Sequence, residues 1–411
     1  MRCVSTRSPG APGVPLSEAI SQGLAPDGGL FVPVAIPEVK LAPGPLPQLA
    51  ARLLAPYFAD EPLGAQLEQI CAAAFTFDAP LVPLGSDRLL ELFHGPTAAF
   101  KDFGARFLSE CLTRLGAQQT ILVATSGDTG AAVAAAFHRR PGMRVVILYP
   151  KGRVSARQEH QLGAFGDNVH AFRVSGTFDD CQRMVKAALA DPPLRSKLQL
   201  GSANSISLGR LLPQMAYFAR AALEVKAPVN FVVPTGNLGN ALACLMAKQM
   251  GLPIGRIVLA TNANRGLPDF FQTGTWEPRP SIATLANAMD VGAPSNLERL
   301  RYWKLTAEAD WVDDDTIRST IRRTWEQHRL SICPHTACGV EVLRRLKAEG
   351  ADGTWIVAAT AHPAKFETIV EPLIGQRVPV PPALQQLLER PSTAEPLEPT
   401  DAALISRLGS L

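Results

Sequence analysis

Val229-Asn-Phe-Val-Val-Pro-Thr-Gly-Asn-Leu-Gly-Asn240 decides the fold. Its first five residues, apolar apart from Asn230, read as a strand buried on both faces. Pro234 ends the run, residues 234–238 form a loop, and Gly239 opens an apolar segment of helical length that reaches Met250. A strand that is apolar on both faces needs cover on both, which is the condition of a parallel sheet between helices. The same order recurs on either side. Residues 120–124, 145–149, 169–174, 256–261 and 355–359 are apolar runs of strand length. Helical patterns fill 131–139, 178–190 with Thr177 as N-cap, the stretch after 202–207 as far as Leu223, and the segment up to Ile374. The chain is expected to be an α/β protein with parallel sheets covered on both faces.

In such sheets ligands bind where strands end and helices begin, because the free N–H groups of a first helical turn attract anions. Three loops hold that position. Thr235-Gly-Asn-Leu-Gly-Asn240 has two glycines that let successive N–H groups converge on one anion, for which a phosphate is the natural occupant. It lacks both the Gly-Lys-Ser/Thr end of a nucleotide P-loop and the three-glycine dinucleotide fingerprint. Thr125-Ser-Gly-Asp-Thr-Gly130 offers hydroxyls to a carboxylate or phosphate, with Asp128 to orient them or to exclude the wrong anion. Ala359-Thr-Ala-His-Pro363 offers the Thr360 hydroxyl to a ring nitrogen, with His362 and Pro363 shaping the turn. A hydroxyl partner leaves a pyridine nitrogen neutral, whereas an aspartate would charge it. Taken singly, each loop reads equally well as a plain turn or a helix cap.

The fourth feature is His94-Gly-Pro-Thr-Ala-Ala-Phe-Lys101-Asp-Phe-Gly-Ala-Arg-Phe107. Apolar Phe103, Phe107, Cys111 and Leu115 recur at every fourth position, so a helix starts at about Lys101. The positive pole of the macrodipole disfavours a cation there and makes the amine easier to deprotonate. A neutral lysine is a nucleophile, used most often as a Schiff base with a carbonyl substrate or with pyridoxal phosphate. Alone, it reads more simply as a lysine whose stem covers an apolar patch. Three anion or ring sites together with this lysine fit a pyridoxal phosphate enzyme better than any one of them does.

The rest of the chain sets bounds. Its 411 residues suffice for about two or three domains. With 46% hydrophobic and 19% charged residues it is globular, and a net charge of +3 with no basic block gives no reason to expect nucleic acid. Seven cysteines, mostly scattered through apolar segments, read as free thiols, and the Cys333 to Cys338 spacing matches no metal motif. There is no signal-peptide pattern and no apolar run of about eighteen residues, so a soluble cytoplasmic protein with no membrane partner is expected. Residues 1–78 hold a helix from Ser17, a turn at 26–29, a strand at 30–32 and helical residues 46–75 broken at Pro56 and Pro62. They read as an N-terminal layer. Residues 262–312 are irregular and too long for a plain connection, and the density of Pro, Glu and Gln in 378–400 suggests a loosely held tail.

Together these residues resemble the threonine synthases, pyridoxal phosphate enzymes of the tryptophan synthase β-like fold, also called fold type II. The resemblance covers nearly the whole chain. Besides the lysine segment and the loops at 125–130, 234–240 and 359–366, it rests on Gly23-Leu-Ala-Pro-Asp-Gly-Gly-Leu-Phe-Val-Pro33, Ser202-Ala-Asn-Ser-Ile206 and Gly209-Arg-Leu-Leu-Pro-Gln214. Thr261-Asn-Ala-Asn264, Met289-Asp-Val-Gly-Ala-Pro-Ser-Asn296 and Pro334-His-Thr-Ala-Cys-Gly-Val340 complete it. The long N-terminal portion is similar to the subclass of many Gram-negative bacteria and fungi.

The resemblance implies two open parallel-sheet domains with pyridoxal 5'-phosphate in the cleft. Residues 79–100 with 220–377 would form the larger, 101–219 the smaller, beside the layer 1–78 and a tail 378–411. It implies that Lys101 carries the cofactor and later moves protons, that Gly236, Asn237, Leu238, Gly239 and Asn240 hold its phosphate, and that Thr360 faces its ring nitrogen. Thr125, Ser126, Asp128 and Thr129 would lie on the substrate, with Asn204, Ser205 and Arg210 contributing to its phosphate. The implied reaction converts O-phospho-L-homoserine and water to L-threonine and phosphate, in a monomer or homodimer without a metal.

Three positions depart from the family pattern: Ser207 stands where Asn is expected, Leu238 where Phe is usual, and Cys333 where an acidic residue often precedes Pro-His-Thr. Leu238 is conservative if backbone N–H groups do the binding, whereas Ser207 stands next to the implied substrate loop. A lyase or dehydratase releasing a keto acid would share the fold. A non-catalytic cofactor binder would not need the whole set of residues, and a nucleotide-binding protein lacks its glycine fingerprints.

Overall fold

The apolar runs become strands, and hydrogen bonding sorts them into three sheets. A computed structural model describes residues 1–225 and 228–411; Lys226 and Ala227, inside the stretch 220–377 expected to form the larger domain, lie outside the described residues. In the N-terminal layer β1 (Arg2–Ser5) pairs antiparallel with both β2 (Val14–Pro15) and β3 (Phe31–Pro33). A hairpin follows, β4 (Leu81–Leu84) and β5 (Asp87–Glu91). Next come β6 (Gln119–Ala124), β7 (Met143–Pro150), β8 (Val169–Val174) and β9 (Leu200–Ser202). The last strands are β10 (Val229–Pro234), β11 (Ile254–Thr261), β12 (Glu308–Trp311), β13 (Trp355–Ala359) and β14 (Glu395–Leu397).

One sheet has the order β14-β8-β7-β6-β9 and is parallel throughout. The other has the order β12-β11-β10-β13-β5-β4 and is parallel except at its β4 edge. Central strands are buried on both faces, as their composition requires: Ile121, Leu122, Val123 and Ala124 are all buried, and so is the whole of β13. Strands β1, β2, β4, β5, β9, β12 and β14 have no counterpart in the periodicity reading. The hairpin mixes Pro83 with Asp87, Arg88 and Glu91, and β9 is only three residues long, so neither makes an apolar run.

Helices α1 (Leu16–Gln22), α2 (Leu46–Phe58) and α3 (Leu67–Ala74) belong to the N-terminal layer. Pro56 does not break α2. An internal proline costs about 3 kcal/mol, but Leu53, Leu54, Tyr57 and Phe58 around it are buried, each gaining about 1.5–3 kcal/mol by leaving water. The helix ends instead before Asp60, which has a left-handed backbone (φ 60°).

Helix α4 (Lys101–Arg114) begins where the lysine segment predicts. Phe103 and Phe107 meet Phe58, Phe75, Phe77 and Tyr217 in an aromatic cluster with ring centroids 4.8–6.3 Å apart. Its other side is buried as well, at Gly104, Ala105, Leu108 and Leu112, and it packs on α5 (Asp128–Phe137). An α4 so enclosed cannot shift without disturbing both the N-terminal layer and the five-stranded sheet.

The C-terminal segment is not a loosely held tail. Strand β14 extends the five-stranded sheet, with Leu397 opposite Val174. The helix Asp401–Ser410 then lays Leu404 and Leu408, both buried, onto α7 (Phe178–Ala190), after α6 (Ala156–Gly163) in chain order. Asp401 pairs with Arg183 at 2.5 Å. The Pro, Glu and Gln content is real, but it sits between apolar residues spaced to reach the sheet. Leu404→Ala is expected to cost about 2–5 kcal/mol, read as a lower urea midpoint; an unchanged midpoint would mean that the segment does not contribute to the folded core.

Candidate active site

The residues before Lys101 and those after β13 run antiparallel. Phe100 N donates to the Thr360 carbonyl at 2.8 Å and His362 N to the Ala98 carbonyl at 3.0 Å, while Leu92 N, continuing the parallel β5–β13 pairing, donates to the Ala359 carbonyl at 3.0 Å. This pairing brings Lys101 and Thr360 to one cleft of about 1370 Å³ at the C-terminal ends of the strands of both larger sheets. Every site residue expected from the sequence except Leu238 lines it. Leu238 is fully buried and caps the helix Gly239–Gln249 from a left-handed conformation (φ 64°).

The glycine loop is braced from outside, leaving its backbone donors free. Asn240 uses its whole side chain internally: Oδ1 accepts from Thr235 Oγ1 at 2.7 Å and from Ala241 N at 3.0 Å, and Nδ2 donates to the Pro234 carbonyl at 2.8 Å. Asn237 Nδ2 donates to Ser205 Oγ at 2.5 Å, while its Oδ1 accepts from Ser295 N at the same distance. A Cβ on Gly236 would meet Met289 Cα at 2.7 Å, so only glycine lets the loop close on residues 289–296. Among the described residues no acceptor takes the N–H groups of residues 236–240. Five unpaired donors around a helix N-terminus suit a phosphate.

Arg210, which also lines the cleft, is buried and has no carboxylate partner among the described residues. Its Nη1 donates to the Ala203 carbonyl, and its Nε has no partner. Gly104 on α4 makes room for it, since a Cβ there would come within 2.7 Å of the Arg210 carbonyl. Burial draws Arg210 down to about 10, so it remains a cation. A buried cation with free donors facing a cavity is a site for an anion. Asn204 lines the cleft beside Arg210, and its Oδ1, an acceptor, has no partner among the described residues. Ser207, whose hydroxyl is buried without a partner, does not line the cleft, so this departure lies behind the wall.

In the loop 125–130 the Thr125 hydroxyl oxygen accepts from Gly127 N at 3.0 Å and Gly130 N at 2.9 Å, shaping the loop. Ser126 and Thr129 line the cleft with hydroxyls that bond no described residue. Asp128 is buried, its Oδ1 2.7 Å from Lys365 Nζ and accepting from Gln158 Nε2 at 2.9 Å. Burial alone would raise its pKa, but Lys365, then Lys101 and His335, hold the carboxyl well below its usual range.

Lys365 and His335 went unread in the sequence. His335, at the start of the helix Pro334–Ala348, accepts Ala288 N on Nε2 at 3.0 Å, which places its proton on Nδ1, 3.8 Å from Cys333 Sγ. Burial pushes His335 down to about 4, so it is neutral at ordinary pH. Cys333 caps this helix by accepting Thr336 N at 3.4 Å, the task an acidic residue would perform there.

Lys101 is partly exposed to the cleft and lowered to about 8. Burial is the main cause; Asp128 opposes it, while Arg210 and Lys365 reinforce it. The lowering expected from the helix dipole thus has a stronger source in the surroundings.

A wider web fixes the two walls together. Asn296 Nδ2 donates to the Asn237 carbonyl at 3.0 Å and the Ser205 carbonyl at 3.3 Å. Arg299, fully buried, donates to Asn296 Oδ1 at 2.8 Å, to the Ile206 carbonyl at 2.5 Å and, from Nε and Nη2, to the Phe31 carbonyl at 3.0 and 2.8 Å. The irregular stretch 262–312 is held to β11 by Asp290, which accepts from Thr284 Oγ1 and Asn262 Nδ2, both at 2.7 Å.

The sheets, the glycine loop and the helix-start lysine are those of a pyridoxal-phosphate dependent enzyme, and the model of that family matches residues 89–360. On either side, models of the threonine synthase N terminus and C-terminal region match residues 2–75 and 336–408. Threonine synthase from Serratia marcescens is 42% identical over 398 residues, covering 92% of each chain. The crystal structure of threonine synthase from Escherichia coli superposes with a TM-score of 0.93 at 37% identity, over 100% of both chains. A PLP-bound threonine synthase from Brucella melitensis superposes at 0.89 with 34% identity, over 99% of this chain and 98% of its own. This chain belongs to the threonine synthase family. Its cofactor is pyridoxal phosphate and its activity that of a threonine synthase, a lyase. Among the described residues no helix is long and apolar enough to cross a membrane.

With the cofactor removed, labelling of Lys101 by an amine reagent should follow a titration with its midpoint near 8, well below the ordinary 10.5. Because only the free amine reacts, the rate should fall about tenfold per pH unit below the midpoint. A midpoint near 10.5 would show that the cleft does not favour the free base.

Proposed function

We propose that the chain converts O-phospho-L-homoserine and water to L-threonine and phosphate, with the cofactor phosphate on the N–H groups of Gly236, Asn237, Leu238, Gly239 and Asn240 and the cofactor attached to Lys101. The observation that carries this reading is the pair of anion sites in one cleft, the free N–H groups of the glycine loop and the guanidinium of Arg210, whose Nε has no partner among the described residues. One suits the cofactor phosphate and the second suits a phosphate on the substrate.

When bound, pyridoxal phosphate supplies an electron sink that stabilises negative charge on the carbons of the substrate amino acid. The protein supplies the rest. Lys101 Nζ takes and returns the proton at Cα, helped by surroundings that lower it to about 8 and so make the free base far more accessible than for an ordinary lysine. Arg210, with Ser205 and Asn204, holds the substrate phosphate as its bond to Cγ breaks. Ser126 and Thr129 donate to the substrate carboxylate, Thr125 shapes their loop, and Asp128 favours the substrate amine on its open side. Thr360 meets the ring nitrogen with a hydroxyl, leaving that nitrogen uncharged.

The larger sheet with residues 79–100 and 220–377, and the smaller with 101–219, form the two domains, with 1–78 as a layer and 378–411 joined to the smaller sheet through β14. The protein acts as a monomer or homodimer in the cytoplasm, a compartment that its seven buried, unpaired cysteines suit.

Incubation of the holoprotein with O-phospho-L-homoserine is expected to release threonine and phosphate in equal amounts, and Lys101→Ala to abolish turnover. Arg210→Met should raise KM about ten- to hundredfold, the equivalent of about 1.5–3 kcal/mol for a hydrogen-bonded charge, with the cofactor absorbance unchanged. Phosphate accompanied by a keto acid and no threonine would overturn the reading.

A further inference from the structure

Two lysines approach Asp128, and only Lys101 has an assigned task. Lys365 comes from the turn Pro363–Phe366 and is completely buried. Its Nζ lies 2.7 Å from Asp128 Oδ1 and donates to the Thr97 carbonyl at 2.8 Å. Thr97 is itself fixed to α4: its N–H and hydroxyl donate to the two oxygens of buried Asp102 at 2.9 and 2.6 Å. Lys365 is therefore held from beneath the cleft and is absent from its lining.

The charges around Lys101 are Asp128 on α5, Arg210 and Lys365; the thiol of Cys333, raised by burial, is neutral, and neutral His335 faces Asp128. Asp128 is the one carboxylate that acts directly on Lys101. A buried carboxylate without a cation is costly. If Lys365 were uncharged, the cation on offer to Asp128 would be Lys101, and the pair would hold the Lys101 proton in place.

We propose that Lys365 is a positioning residue that neutralises Asp128 from the side away from the cleft, so that Asp128 does not claim Lys101 and the Lys101 amine is left free to lose its proton. The proposal rests on the reading of Lys101 as the reactive amine. It gives Asp128 a state that a substrate ammonium can meet without competition from the catalytic lysine.

The test is the titration of Lys101 in the cofactor-free protein, read by mass spectrometry of the labelled peptide, which needs no turnover. Lys365→Gln removes the charge and keeps a donor toward Thr97 and Asp128. Its labelling midpoint should rise by about one to two pH units, and adding Asp128→Asn to the same chain should bring it back. Asp128→Asn alone should lower the midpoint, and Lys365→Met, which keeps the stem without the charge and should raise it, takes the place of Lys365→Gln if that variant does not fold. A folded Lys365→Gln protein that titrates as the native chain does, or an Asp128→Asn protein with an unmoved midpoint, would overturn the proposal. Failure of the threonine reading has a different signature: product analysis without threonine, whatever the midpoints.

Discussion

The guanidinium of Arg299 is the contact on which the cleft most depends. It is buried without a carboxylate among the described residues and is satisfied by carbonyls from two distant parts of the chain, Phe31 and Ile206, and by the side chain of Asn296 one turn before it. Burial lowers it to about 9, so it stays charged in neutral solution and its donors remain committed. Through Asn296 it reaches the carbonyls of Asn237 and Ser205, which stand on the two walls of the cleft. Through the Phe31 carbonyl the N-terminal layer is thereby tied to both segments, and its Thr6, Arg7 and Asp27 line the cleft. A lysine could not span these acceptors, because a single ammonium lacks the planar fork.

Inside that frame electrostatics are arranged in depth. Arg210 faces the cavity, Asp128 lies at its edge, and Lys365 lies beneath. A lysine that loses its proton more readily is obtained by burial and by two further cations, while the neighbouring carboxylate is paired with Lys365. His335, kept neutral by burial, adds no competing charge. The departures from the family pattern fit this arrangement: Cys333 still caps its helix, and Ser207 stands outside the cleft.

Much of this was legible in the sequence because it is local. The strand and loop around Gly236, the loop at Ser126 and the helix starting at Lys101 each declare themselves within about a dozen residues. What could not be read is what depends on partners far along the chain. Lys365 looks like any lysine in a turn until Asp128 is placed beside it, and Arg299 like an exposed helix residue until three carbonyls surround it. The C-terminal segment differs for another reason: its composition is that of a loose tail, but Leu397, Leu404 and Leu408 are spaced to be buried against the smaller sheet and its helix. At Pro56 a local rule gave way to the burial of its neighbours.

The claim that Lys101 and not Lys365 carries the cofactor is tested most directly by reducing the holoprotein with borohydride, which fixes the cofactor to whichever amine holds it, and mapping the modified peptide. The account predicts the added mass on the peptide containing Lys101 alone. Modification at Lys365, the other buried lysine beside Asp128, would contradict it and would reverse the roles of the two amines.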